Sequence, residues 1–351
     1  MRQAPPSNEL VAQLVDELDG DAQLVDAGEF TLDPAQARLK LREYQLADPN
    51  GYLLLLVEIA RLADPNRTSI SFTLGRPLVV EFESIELELD ALEHLLGGVF
   101  RSRSGLRGEE LRHARVMRLL GLALNAALAL EPEQVSIGWL QDSGMGAGLR
   151  FVPSGESERV HMMGEESMRP RARFEVHFGP LANLSFSDER ELIERHCSFA
   201  PFPVDVDGQV ISRGLRAGLD HDGAERLGHT PPELVSLSEV TRLGLANNCN
   251  TEAPPVLLLL TRGVLSETLE LEGLRPGFRA IVDIDARKDL AQAKVLRDPQ
   301  FDAMLAAVRR AHDKLPPAPV AVAPSEDAQV APAVIVLGLE LESGVLPLPR
   351  E

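Results

Sequence analysis

The strongest pattern in the chain is a stretch that is apolar around its whole circumference. From Tyr52 to about Ala63, Leu53, Leu54, Leu55, Leu56, Val57, Ile59, Ala60 and Leu62 fill nearly every face, which predicts a helix buried in a core. Pro49-Asn50 supplies a start signal and Asp64-Pro65-Asn66 a stop. Only Glu58 and Arg61 interrupt it. Lying three apart they share a face, so Arg61 can pair with Glu58, or with Asp64 at the helix end. Thr68–Phe72 then alternates as a strand, and Pro77–Phe82 reads as a second. Glu86–Leu96 reads as a helix with Leu87, Leu89, Leu92, Leu95 and Leu96 inward, broken by Gly97-Gly98. A polar loop over 101–110 leads into a helix from Leu111 to about Leu130. Its small residues, Gly121, Ala123, Ala126, Ala127 and Ala129, admit a close neighbour. Gln134–Leu140 and Leu149–Val152 read as strands around a turn at Ser143–Gly148. Ahead of all this lie an amphipathic segment, Asn8–Leu18, a short strand at Phe30–Leu32, and a helix to about Leu46 capped by Asp33-Pro34.

Residues 153–170 are polar and patternless, and read as an interdomain loop or hairpin. Ala172–Phe178 alternates as a strand. Ser187 caps a helix to about Cys197, with Asp188 and Glu189 favourably placed in its first turn. Phe202–Val206 and Gln209–Ser212 flank Asp207-Gly208, a hairpin turn signal. Residues 214–234 read as a loop and Asn247–Asn250 as a turn. Val256–Thr261, Val264–Glu270 and Arg279–Asp285 read as strands, and Asp298–His312 as an amphipathic helix. A Pro/Ala-rich linker begins at Leu315 and ends in an apolar stretch, Val334–Pro349, suited to a docked strand or a peptide for a partner. The expected class is α+β. An extension (1–27) precedes a first domain (28–153) with helices layered on one antiparallel or mixed sheet. A second, smaller α+β domain (171–313) and a linker with its tail (314–351) follow.

Composition narrows the function classes. Hydrophobic residues make up 44% of the 351, ample for packed cores, but aromatics are only 4%, so Leu, Val and Ala must build them. No run of about 18 apolar residues is present, so no membrane-spanning helix is expected. The start, MRQAPPSNEL, has no apolar signal region, and two cysteines, Cys197 and Cys249, fit a reducing compartment; together these predict a cytoplasmic protein. The net charge of −19 opposes nucleic acid and anionic membrane, which leaves other proteins as the expected partners. The local exception is Arg101, Arg103, Arg107, Arg112, Arg115 and Arg118. With Glu109 and Glu110 among them and no aromatic interleaved for base stacking, they read as a solvated loop and helix face.

The span Phe30–His312 resembles the GHKL (Bergerat-fold) ATPases, in particular the N-terminal and middle domains of the ninety-kilodalton heat-shock chaperones and of the MutL family. Leu62-Ala63-Asp64 followed by Thr68–Phe72 occupies the place of the family's Asn-Ala-x-Asp-Ala and its strand. The run Gly121–Leu128, with Asn125, sits where the family has a glycine-rich turn opening a helix behind the phosphates. Leu192–Gly208, with His196, Phe199, Phe202, Pro203 and Val204, resembles the helix–strand junction of the middle domain. The resemblance implies a Bergerat-type α/β sandwich followed by a middle-domain-like α+β domain, with Glu58, Arg61, Asp64, Gly121 and Asn125 as nucleotide-binding candidates. The departures matter as much. Arg61 stands where the family holds its Mg²⁺-binding Asn, Val57 where it has the water-polarising Glu, and Glu58 is about 100° away around the helix. Residues 80–92 contain no Asp-x-Gly-x-Gly, and the lid lacks Gly-x-x-Gly-x-Gly. The expectation is therefore a degenerate, chaperone-like or scaffold protein that uses no cofactor and no metal. The alternative is a divergent ATPase in which Glu58 is the base and Arg61, or the arginines of 101–112, touch a phosphate of Mg-ATP.

Three further constellations have plainer readings. Ser143–Gly148 is similar in composition to a phosphate loop but lies between strands, so it reads as a hairpin turn. Asp220, His221, Asp222 and His229 are metal-ligand types in an irregular loop with no supporting cluster. His196 and Cys197 are adjacent on a helix and so cannot face each other as a catalytic pair.

Overall fold

The computed structural model describes residues 48–63, 67–73, 77–83, 87–98, 106–154, 156–167, 169–179, 186–215, 235–236, 242–247, 253–289 and 292–314. The extension 1–27, the strand and helix expected over 30–46, Asp64, the lid residues Arg101 and Arg103, the 220–229 cluster and the tail beyond 314 lie outside them.

In chain order the described elements begin with α1 (Tyr52–Ala63), β1 (Thr68–Ser71), β2 (Leu78–Glu83) and the short helices α2 (Leu89–Glu93) and α3 (Leu95–Gly98). The long α4 (Gly108–Ala129), β3 (Gln134–Leu140), β4 (Met145–Phe151), β5 (Ser157–Met163) and β6 (Arg171–His177) follow. Next come α5 (Ser187–Cys197), β7 (Val204–Val206), β8 (Gln209–Val210), β9 (Val235–Ser236) and β10 (Arg242–Asn247). The series ends with β11 (Val256–Thr261), β12 (Val264–Glu270), β13 (Phe278–Ile284) and α6 (Pro299–Lys314). The class is α+β, as expected.

Two sheets organise the chain. The larger has the order β5-β4-β3-β6-β2-β1-β7-β8, the smaller β12-β11-β13-β10-β9. In the larger sheet only β1–β7 is parallel; in the smaller, β11–β13 is. Alternation sets the sheet's two faces. Leu78, Val80 and Phe82 of β2, and Ala172, Phe174 and Val176 of β6, turn into one core with the helices. Between them on the opposite face, Glu81, Arg171, Arg173, Glu175 and His177 form a ladder of ion pairs.

The helix α1 is buried on nearly every side, as its pattern predicts. Tyr52, Leu53, Leu55, Leu56, Val57, Ile59 and Ala60 are all at most 2% exposed. It packs against α4 and against α5. Each large aliphatic side chain so buried contributes about 1.5–3 kcal/mol. A second core lies between β11, β13 and α6, with Leu257, Phe278, Val282, Phe301 and Val308 at its centre.

Several sequence expectations need correction. Of the two readings of residues 153–170, the hairpin holds: 157–163 form β5, paired antiparallel with β4 from Phe151↔Ser157 to Met145↔Met163. The strand β6, expected in the second domain, lies in the middle of the larger sheet between β2 and β3. Asn247 ends strand β10, and the rest of the turn expected at Asn247–Asn250 lies outside the described residues. The helix expected over Glu86–Leu96 is two pieces divided at His94, and Gly97-Gly98 belongs to the second. The loop 101–110 ends early, because α4 begins at Gly108. The turn expected over Ser143–Gly148 is shorter: β4 begins at Met145, so Met145–Gly148 are already strand, with Gly146–Gly148 paired with β3. The glycines there serve packing: a Cβ on Gly148 would lie 2.5 Å from Met162 Sδ and 2.4 Å from the Ile137 carbonyl oxygen. Asp207 and Gly208, with φ of 50° and 86°, make the expected β7–β8 hairpin turn.

Candidate functional site

The two charges of α1 decide what the site is. Glu58 is fully buried, yet neither pairs with the other. Arg262 Nη1 donates to Glu58 Oε2 at 2.6 Å, and Lys288 Nζ donates to Glu58 Oε1. Arg61 Nε lies 3.5 Å from Asp283 Oδ2, at ion-pair range rather than as a hydrogen bond. The expected pairing of Arg61 with Glu58 is therefore replaced by pairing with the smaller sheet. A buried carboxylate is tolerated only with cations on it, and here both of its oxygens are taken.

Local geometry aims Arg262. It and Gly263 form the two-residue turn between β11 and β12, with φ of 52° and 84°, the left-handed pair that a tight hairpin requires. Glycine is needed at the second position, since a Cβ there would lie 2.7 Å from Phe202 Cε1. Arginine at the first is strained, because a side chain in that region costs energy. The Gly263 amide donates to Asp283 Oδ1 at 2.7 Å and fixes the turn. Arg262 Nε also donates to Asp285 Oδ1 at 2.7 Å, and Arg115 of α4 donates to Asp285 Oδ2. Burial pulls the Arg262 pKa down, but the charges of Glu58 and Asp285 outweigh it and hold the guanidinium above its ordinary value. Glu58 and Arg115 thus meet Arg262, Asp285 and Lys288 in one ionic joint between the helices of the larger sheet and the edge of the smaller one. His196 extends the junction: its Nδ1 is 2.6 Å from the Leu265 carbonyl oxygen.

Beside the joint is a cavity of about 420 Å³ walled by Leu111, Leu119 and Leu122 of α4 and by the segment after β13. The arginines of α4 divide between two settings. Arg112 is exposed and pairs with Glu109 at 3.0 Å, as a solvated face should. Arg115 and Arg118 instead line the cavity, correcting the expectation for both.

Of the other nucleotide-binding candidates, Asp64 lies outside the described residues, and the helix opening that the resemblance implies at Gly121 is absent. Gly121 and Asn125 do not open a helix. Both are buried in the middle of α4, more than a turn from either end. Among the described residues no group of three or more His, Cys, Asp or Glu could hold a metal ion. Cys197 is fully buried, and burial, with the negative charge of Glu58, pushes its thiol far up. The native protein is therefore expected to leave Cys197 unmodified by iodoacetamide while the urea-unfolded chain is labelled, read by peptide mass mapping. Labelling of the native thiol at the unfolded rate refutes this.

The chain matches no family model and no curated protein. Among solved structures it is similar to the B subunit of DNA gyrase from Myxococcus xanthus, with a TM-score of 0.53 and 14% identity over 80% of this chain and 95% of that one. At that identity the likeness concerns the fold alone, and a shared fold leaves open which residues act. Among the described residues no helix is long and apolar enough to cross a membrane.

Sequence reasoning found Glu58 and Arg61 but missed Arg262, Asp283, Asp285 and Lys288. The one available signal was two aspartates at the end of an otherwise apolar strand, Ala280-Ile-Val-Asp-Ile-Asp285. Carboxylates there must have buried partners.

Proposed function

We propose that this GHKL-like chain has lost nucleotide turnover and works by contacts with other proteins, as a chaperone-like or scaffold protein of the cytoplasm without ATP or Mg²⁺. The observation that carries the reading is the engagement of Glu58. The only carboxylate on the buried helix has one oxygen on Arg262 and the other on Lys288, so neither is left to orient a water. Arg61, beside it on the same face, opposes a divalent cation by charge. The net charge of −19 favours solubility and basic protein partners over nucleic acid.

The test is phosphate release from Mg-ATP by wild type and Glu58→Gln, alongside melting with ATP in the presence and absence of Mg²⁺. The expected outcome is no release above the buffer blank and no Mg²⁺-dependent stabilisation. Mg²⁺-dependent hydrolysis that Glu58→Gln abolishes overturns the proposal.

A further inference from the structure

We infer that the cavity between α4 and the segment after β13 is an anion site, built for a compact phosphate-class dianion, free or as the head of a small ester. Five basic side chains line it: Arg115, Arg118, Arg262, Arg287 and Lys288. Their internal counter-charges are already committed. Asp285 holds Arg115 and Arg262, and Glu58 holds Arg262 and Lys288. Asp289, the other carboxylate of the wall, has its Oδ1 accepting the backbone amides of Ala293 at 2.8 Å and Lys294 at 3.3 Å, where it closes the turn that follows.

Arg118 and Arg287 are the two cations left over. Among the described residues neither forms an ion pair, and the buried Nε of Arg118 has no hydrogen-bond partner. Partial burial, then the like charges of Arg262 and Arg287, pull the Arg118 pKa below its ordinary value. A half-buried guanidinium facing two others is unfavourable unless something negative lies between them. In a chain with 54 acidic residues against 35 basic ones, a cavity with this surplus runs against the overall composition.

Charge and shape select the ligand class. Two surplus cations match a dianion, and guanidinium forks match the oxygens of a phosphate group in paired hydrogen bonds. The volume exceeds that of phosphate alone, and Leu111, Leu119 and Leu122 offer an apolar wall for a small organic group. The site is independent of the function proposed above, since binding a phosphate group requires neither turnover nor a metal.

The experiment is calorimetry and melting of the full chain with inorganic phosphate, pyrophosphate and glycerol phosphate, and with succinate as a dianion of different geometry, all without Mg²⁺. The variants are Arg118→Gln, Arg287→Gln and, as a distant control, Arg159→Gln, whose partners Glu93 and Asp90 lie elsewhere. Arg287 is exposed, so its variant folds whether or not Arg118→Gln does. Expected is saturable binding of at least one phosphate compound in preference to succinate, weakened about tenfold or more in each cavity variant and unchanged in the control. A glycerol phosphate affinity above that of inorganic phosphate identifies an ester as the ligand; the reverse identifies the free anion. No binding up to about 10 mM, or equal binding by all variants, overturns the inference.

Discussion

Glu58→Ala is expected to destabilise the native state by about 3–5 kcal/mol, among the largest effects of any single substitution in the chain. The loss does not come from the attraction of the ion pairs themselves. Removing the carboxylate leaves Arg262, 12% exposed at its side chain, and Lys288, 5% exposed, as cations out of water with one counter-charge between them. Asp285 still serves Arg262, but Lys288 has no other carboxylate partner among the described residues. Adding Lys288→Met to Glu58→Ala removes the stranded charge and should recover part of the stability, so the double variant is expected to be more stable than the single one. Urea unfolding of wild type, both single variants and the double one provides the cycle. A Glu58→Ala cost below about 1 kcal/mol would mean that water reaches the joint and that the network is not buried in solution.

Phe174→Ala should cost a comparable amount, about 3–5 kcal/mol, for an unrelated reason. Phe174 lies on β6 in the middle of the larger sheet, is 1% exposed, and sets its ring 6.3 Å from that of Tyr52 on α1. Truncation opens a cavity where helix meets sheet. The surroundings cannot collapse into it, because β6 is hydrogen-bonded on both sides, to β2 and to β3. Phe174→Leu keeps much of the volume and should cost about 1.5 kcal/mol or less. The check is the urea midpoint at unchanged m-value. Equal midpoints for the alanine and leucine variants would count against cavity formation as the cause.

What could be read from the sequence was local. The all-round apolar pattern identified α1, alternation identified β1 and β6 as strands, and Asp207-Gly208 fixed a hairpin, because each signal lies within one element or turn. What could not be read was non-local. Alternation showed that Ala172–Phe178 is a strand but carried no information on its neighbours, and these proved to be β2 and β3 of the larger sheet. The strand β10, Arg-Leu-Gly-Leu-Ala-Asn, has a glycine inside and an asparagine at its end, and its composition gave no strand signal. The site failed for the same reason. Glu58 meets partners 204 and 230 residues away, and no spacing rule reaches that far. The arginines of α4 looked alike in sequence, and only the packing of the smaller sheet's edge separates Arg112, in water, from Arg115 and Arg118, in the cavity.

The separation of Glu58 from Lys288 also sets an order of events at the ribosome. At about 5–20 residues per second, the 230 residues between them take about 10–50 s to emerge. Throughout that interval α1 carries a carboxylate that its own sheet cannot neutralise, so the helix cannot settle fully into its hydrophobic bed. The larger sheet, complete in sequence at Val210, must wait for the smaller one before its central helix is at rest. Nascent chains halted before Arg262 would therefore present the apolar helix to chaperones, and release of that helix would coincide with synthesis of the last described strand and the lysine just beyond it.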